Sequence, residues 1–363
     1  MDMALQKNSI TRLALAATVT ALALTACGGG GSSGTPAGQT EVRRAQPAVV
    51  MSNMAPGLTL FAGYTGGSGT LDGTGTSARF TGPVGIAIDA ADNLYVTDER
   101  SSPTDLVLRK ITPGGVVTTS SAPGSQHSTF DRAGNRYIAV GSAIVKVAPD
   151  GTTVTLAGVL NASGLNDGSG ADARFSGIGS MASDLAGNLY VTNTKFTCPM
   201  PKPVYCINEG GVIRKISPAG VVTTIAGAIV DRVEAVPADG TGTAARFAQL
   251  SGLVVDNEGN LFVTDSGSIR RISPSGDVTT LPADPAVSES RRVQKVVVGA
   301  DNSLLALALD KVFRVAPSGV MTQLAEFSSA NLGLPPPFTA IGVSDLVRDS
   351  AGNLFGISGR NAV

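Results

Sequence analysis

The feature that most constrains this chain is a repeat. Arg246–Leu281, RFAQLSGLVVDNEGNLFVTDSGSIRRISPSGDVTTL, reads as four short strands, Leu253–Val255, Asn260–Thr264, Ser268–Ile272 and Val278–Leu281. Apolar and β-branched runs bounded by Gly, Pro, Asn and Asp are the mark of strands joined by turns. The unit recurs. A turn ahead of the second strand stands at Asp92-Asn93, Gly134-Asn135, Gly187-Asn188, Gly259-Asn260, Asp301-Asn302 and Gly352-Asn353. A turn ahead of the fourth strand begins at Pro113, Pro149, Pro218, Pro274 and Pro317. A third signature, Asp-Gly-x-Gly-x-x-Ala-Arg-Phe, precedes the first strand at Asp72–Phe80, Asp167–Phe175 and Asp239–Phe247. The core of the unit is about 40 residues, the length of a four-stranded propeller blade.

These anchors predict an all-β chain, a six-bladed β-propeller of four-stranded antiparallel blades over residues 58–363. Leu58–Ala62 matches the fourth-strand endings at Thr155–Gly158 and Thr224–Gly227, yet no earlier strand of its own blade precedes it. It is therefore expected to pair as the outer strand of the last blade, covering an open edge. That blade is expected to be incomplete, with Val363 falling inside its third strand and the reading frame continuing beyond it.

The blades resemble the NHL-repeat propeller family. Its pattern, P-x-G-x-A-x-D-x-x-G-N-x-Y-V-x-D followed by I-R-K-I-x-P-x-G-x-V-T-T-x-A-G, is similar to residues 83–119 and 178–227. Blades two and five lack the Ala-Arg-Phe lead-in and the Tyr-Val-Thr-Asp ending. The resemblance implies the fold, and a function that is either a binding scaffold or, in a few members, a lyase.

The start of the chain predicts its address. Lys7 and Arg12 precede an apolar run from Leu13 to Leu22 and a Leu24-Thr25-Ala26-Cys27 ending. The run is too short for a permanent span and has signal-peptide form. The ending resembles a bacterial lipobox. Residues 1–26 are thus expected to be a lipoprotein signal peptide, Cys27 the lipidated residue and residues 27–57 a Gly/Ser-rich tether. The membrane is a partner through that anchor, and the location is the cell envelope. Gly28 after the cysteine resembles sorting to the outer membrane, facing periplasm or surface. With Cys27 taken, Cys198 and Cys206 are expected to form a disulfide, as befits an exported chain. A formal charge of −1 offers no electrostatic case for nucleic acid.

Candidate chemistry is sparse. The Asp-Gly-x-Gly loops lack the strand-loop-helix setting of a phosphate cradle and the carboxylates of a calcium site. They are expected to be turns in which Arg79, Arg174 and Arg246 pin blade to blade. Asp98, Asn193 and Asp265, which end second strands, are expected to be turn acceptors. Counting back four residues from the turn Asp aligns Gly85, His127, Ser180, Gly252, Gln294 and Asp345 on the first strands, which line a propeller's channel. His127 and Asp345 are candidate acid–base residues, and Ser180 and Gln294 candidate channel-mouth binding residues. No metal site is expected.

Insertions gather in the loops between strands two and three and between blades, so one face is loop-rich and a natural binding surface. The expected function is an envelope-anchored scaffold that binds a protein or glycan through that face, without cofactor. The alternative is a lyase or lactonase-like enzyme at the channel mouth, which would imply a divalent metal.

Overall fold

The computed structural model describes residues 49–53, 58–63, 68–198, 206–230, 235–284, 293–299, 301–308, 310–327 and 342–358. Cys27 and the segment 359–363 lie outside the described residues. Five blades are each drawn from one continuous stretch of chain, their strands pairing antiparallel in order from inside to outside. The inner strands are Pro83–Ile88, Ser128–Phe130, Ile178–Ser183, Leu250–Val255 and Val293–Val298. The outer strands are Val116–Pro123, Thr153–Gly158, Val221–Ala226, Asp277–Thr280 and Met321–Glu326. A further, composite sheet is made of Val343–Arg348 and Leu354–Ser358 from the end of the chain and Val49–Asn53 and Leu58–Gly63 from its beginning. Each inner strand packs on the inner strands beside it, and Val343–Arg348 packs on Pro83–Ile88, so the ring closes.

The composite sheet corrects the expected closure. The chain's beginning supplies two strands, not one. Val49–Asn53, within the stretch expected to be tether, is the missing third strand: Val50 pairs with Ile357 on one side and Ala62 on the other. A five-residue strand carries little pattern of its own. It becomes a strand because two open sheet edges each offer unpaired backbone donors and acceptors, and it satisfies both. The position for which a continuation past Val363 was expected is held by Val49–Asn53.

Three blades also carry a short fifth strand. Gly73–Thr74, Gly168–Ser169 and Gly240–Thr241 pair with the outer strand of their own blade, and each runs into one turn of 3-10 helix. These are the Asp-Gly-x-Gly lead-ins. Each turn packs on the outer strand of the preceding sheet, and each closing phenylalanine (Phe80, Phe175, Phe247) is fully buried. Phe175, for example, sits among Tyr137, Ile144 and Ala157 of the second blade and Leu189, Val191 and Ile216 of the third. The lead-in is a plug between blades.

The turn ahead of the second strand repeats one hydrogen-bond pattern. Asp89 Oδ1 accepts from Asn93 N at 2.9 Å, and Asp89 Oδ2 accepts from Asn93 Nδ2 at 2.9 Å and Tyr95 Oη at 3.1 Å. Asp131, Asp184, Asp256 and Asp349 bind Asn135, Asn188, Asn260 and Asn353 in the same way. The residue before each Asn has positive φ and is Gly at 134, 187, 259 and 352, which explains the Gly-Asn pair.

Candidate functional site

The fifth blade breaks this turn and shifts the count. Gly299 N donates to Ser303 O, as Asp89 N donates to Asn93 O, and Asn302 takes the positive-φ place of Asp92 with φ 59°. Ser303, not Asn302, is therefore the counterpart of Asn93. Counting back four from Gly299 reaches Lys295, not Gln294. The inner strand shifts register between Val293 and Lys295, as the composite sheet does between Val343 and Asp345. A slip of one residue exchanges the faces of a strand. The ring is Gly85, His127, Ser180, Gly252, Lys295 and Asp345.

This register brings three ionisable groups together. Lys295 Nζ lies 2.8 Å from Asp345 Oδ1, with both side chains mostly buried. Asp345 Oδ2 accepts from Ile86 N at 3.3 Å and Oδ1 accepts from Leu346 N at 2.8 Å, which ties the carboxylate to the next inner strand. His127, half-buried on the second blade, feels both charges. Burial pushes the imidazole below its ordinary value, Lys295 pushes the same way, and Asp345 opposes them. The imidazole thus lies in the field of the Lys–carboxylate pair, with its charged form disfavoured. Gly85, between Asp345 and His127 in the ring, carries no side chain. A Cβ there would stand 2.5 Å from Gln126 O, so the inner strands of blades one and two meet only because it is glycine.

Two expected ring residues do other work. Ser180 Oγ donates to Ser251 O and clasps the inner strands of blades three and four. Gln294 is exposed, and its carbonyl accepts from Ser251 Oγ and Thr264 Oγ1 at 3.4 Å each. Lys295 is the residue that sequence reasoning missed. The signal was present: the blade-five turn has no Asp four residues before its Asn.

The residues here do not suit a hard divalent cation. Asp345 is a single carboxylate already paired with an ammonium, and among the described residues no three His, Cys, Asp or Glu side chains gather into a metal-holding group.

The lead-in loops hold a different charge arrangement from the one expected. Arg79, Arg174 and Arg246 turn back on their own loops: their Nη1 atoms donate to Thr76 O and Ala78 O, to Ala171 O and Ala173 O, and to Thr243 O and Ala245 O. The pins are third-strand arginines, Arg109, Arg214 and Arg270, each fully buried. They reach Asp72, Asp167 and Asp239 at 2.8–2.9 Å and lie 4.7–5.1 Å over the rings of Phe80, Phe175 and Phe247. Asp98 and Asp265, both fully buried, add second carboxylates at 3.6 Å from Arg109 and 2.9 Å from Arg270. They also accept from backbone: Asp98 from Thr81 N and Gly82 N, Asp265 from Ala248 N and Gln249 N. The third blade has Asn193 at that place, bonded to Ser176 O. This network fastens the plug to its blade.

Cys198 and Cys206 are joined by a disulfide, as expected. The bond closes a hairpin whose strands, Leu189–Thr197 and Ile207–Ile216, run 9 and 10 residues, against 5 or 6 for the same strands of the other four blades. The segment 199–205 lies outside the described residues.

No family model matches the chain, and no curated protein matches it. Solved structures do. A gluconolactonase from Xanthomonas campestris superposes with TM-score 0.52 and 15% identity, over 90% of this chain and 99% of that one. A Bacteroides thetaiotaomicron protein of unknown function superposes with TM-score 0.50 and 13% identity, over 86% and 76%. The fold is a β-propeller. A streptogramin B lyase is more distant, with TM-score 0.47 and 11% identity over 77% of this chain and 94% of that one.

Proposed function

We propose that this propeller is an enzyme that opens a small cyclic ester at the channel its inner strands enclose. The observation that carries this reading is the Lys295–Asp345 pair on the inner strands, with the His127 imidazole in its field and held below its ordinary value by burial and by Lys295. Its fold is shared with a gluconolactonase, a lactone-opening enzyme by name. In the reaction, a nitrogen of His127 takes a proton from water as the oxygen attacks the ester carbonyl. The Lys295 ammonium, held by Asp345, stabilises the oxyanion. The ring C–O bond then breaks, His127 returns the proton to the departing alkoxide, and the product is a hydroxy acid. No step is routed through a metal. The test is hydrolysis of a panel of aldonolactones and γ-lactones in a pH-stat. Activity that falls by about a hundredfold or more in His127→Gln and is indifferent to EDTA supports the reading. Activity unchanged in His127→Gln ends it.

A second reading rests on the disulfide-closed hairpin of the third blade, where Phe196 is 56% exposed. In that reading the loop-rich face is a scaffold for a protein or glycan of the envelope. Capture of the same partner by wild type and His127→Gln, lost on shortening the hairpin, would separate it from catalysis.

The propeller belongs in this proposal with six blades, the composite sheet being the sixth, and with NHL-type repeats. Cys27 is proposed to carry the lipid that anchors it in a bacterial envelope, in the outer membrane. Fatty-acid labelling that persists in Cys27→Ser would refute the anchor.

A further inference from the structure

Among the described residues, the junction between the fourth and fifth blades carries no 3-10 turn of the kind that covers three others. At three junctions the 3-10 turn of a lead-in lies over the groove between one outer strand and the next blade's last turn: Gly75–Ser77 on Leu58–Gly63, Gly170–Asp172 on Thr153–Gly158, Gly242–Ala244 on Val221–Ala226. The backbone seals it, with Gly75 N donating to Gly115 O, Gly170 N to Gly220 O and Gly242 N to Gly276 O. The fifth blade has no such lead-in. Asp284 Oδ2 accepts from Met321 N at 2.6 Å. The rest of that linker, residues 285–292, lies outside the described residues. A groove of about 860 Å³ lies at this junction, between Thr279–Pro282 and Ala316–Thr322. Its size falls in the range of small-molecule sites, roughly 300–1,000 Å³.

We propose that this groove is a second binding site, separate from the channel, for a neutral oligosaccharide. Its chemistry sets the class. Asp256, Glu258 and Asp301 line it with Arg271 and Arg314, so no excess of positive charge awaits an anion. The charges are spoken for within the wall. Arg271 Nη2 donates to Asn260 Oδ1 at 2.8 Å, Asn260 Nδ2 donates to Asp256 and Glu258, and Arg314 pairs with Asp301 at 2.9 Å. Paired planar groups present donors and acceptors side by side. A hydroxyl, which both donates and accepts, satisfies such an edge where an ion would break it. The floor is apolar, with Phe262, Leu304 and Val315. Apolar side chains of this kind suit the C–H side of a pyranose.

The test titrates maltotriose, cellotriose and N,N′,N″-triacetylchitotriose into the protein by calorimetry and ligand-observed NMR. Thr279 is exposed on the rim, so Thr279→Trp fills the groove from outside without touching the core. The expected result is saturable binding of at least one trisaccharide. It weakens at least about tenfold in Thr279→Trp and in Arg314→Ala and is unchanged in His127→Gln, with circular dichroism unaltered in each. Wild type that binds none of the three, binding that survives Thr279→Trp, or binding lost in His127→Gln would each overturn the site.

Discussion

Two adjacent junctions of one ring solve the same packing problem differently. Between the third and fourth blades, Phe247 is fully buried among Tyr190, Ile213, Ala226 and Leu253, and Arg270 fastens the lead-in behind it. Between the fourth and fifth, the buried core is Ile269, Val293, Val296, Leu304, Ala306 and Val315, with the partly exposed Phe262 at its margin. The ring closes in both places because inner strands pack on each other throughout. The plug is thus a local device that seals a groove, and the inner strands close the ring with or without it.

The largest expected contrast concerns the buried cations. Arg270→Met leaves Asp265 buried without its counter-charge, which costs about 3–5 kcal/mol. Arg214→Met, in the blade where Asn193 replaces the buried carboxylate, takes the counter-charge only from the half-exposed Asp167 and should cost about 1–3 kcal/mol. Urea denaturation of both variants measures the difference; equal losses would mean that the second carboxylate adds nothing.

The plugs themselves come next. Phe247→Ala should lose about 3–5 kcal/mol by opening a cavity in a sealed junction. Phe262→Ala, at the junction of the fourth and fifth blades, should lose under about 2 kcal/mol. Similar losses would make the two junctions energetically alike despite their geometry.

The junction between the first and second blades sharpens the comparison, because its lead-in is also missing. Arg136 stands there in the slot that Leu94, Leu189, Leu261, Leu304 and Leu354 fill in the other sheets. It is 3% exposed, Nη1 donates to Pro123 O, and Nε and Nη2 have no hydrogen-bond partner among the described residues. Burial pulls this guanidinium down to about 10, Tyr95 acting in the opposite sense. Arg136→Leu should therefore raise stability by about 1–3 kcal/mol. A destabilised variant would point to a ligand or water holding those donors.

The smallest effect is the pH response at the ring. His127 in the folded protein lies below its unfolded value near 6.5, so the unfolded chain binds its proton first. Stability should be level above about pH 6.5 and fall as pH drops from there toward the folded value. His127→Gln should flatten that limb. Lys295→Met removes one of the two causes and should raise the imidazole value measured by NMR. No change in either would uncouple His127 from the pair.

Local features of this protein were legible in its sequence. The Asp-x-x-Gly-Asn turns, the strands between them and the pairing of Cys198 with Cys206 depend on residues within a few positions of each other or on simple parity. Turn geometry and alternation are written where they act. What lay beyond reach depends on partners far along the chain. Val49–Asn53 became a strand because Leu354–Ser358 and Leu58–Gly63 offered open edges on both sides of it. The buried arginines that fasten each lead-in to its blade are Arg109, Arg214 and Arg270 of the third strands. A guanidinium's partners are set by where the sheet stacks it, here over Phe80, Phe175 and Phe247, and not by its distance from a motif. Lys295 met Asp345 through a register set by the turn at Gly299–Ser303, where a single residue decides which side chain faces the ring. Sequence by itself determined the strands and turns, because those are short-range preferences. Only the closed ring decided which edges were paired and which charges were buried together, because both follow from contacts that exist only once the blades have met.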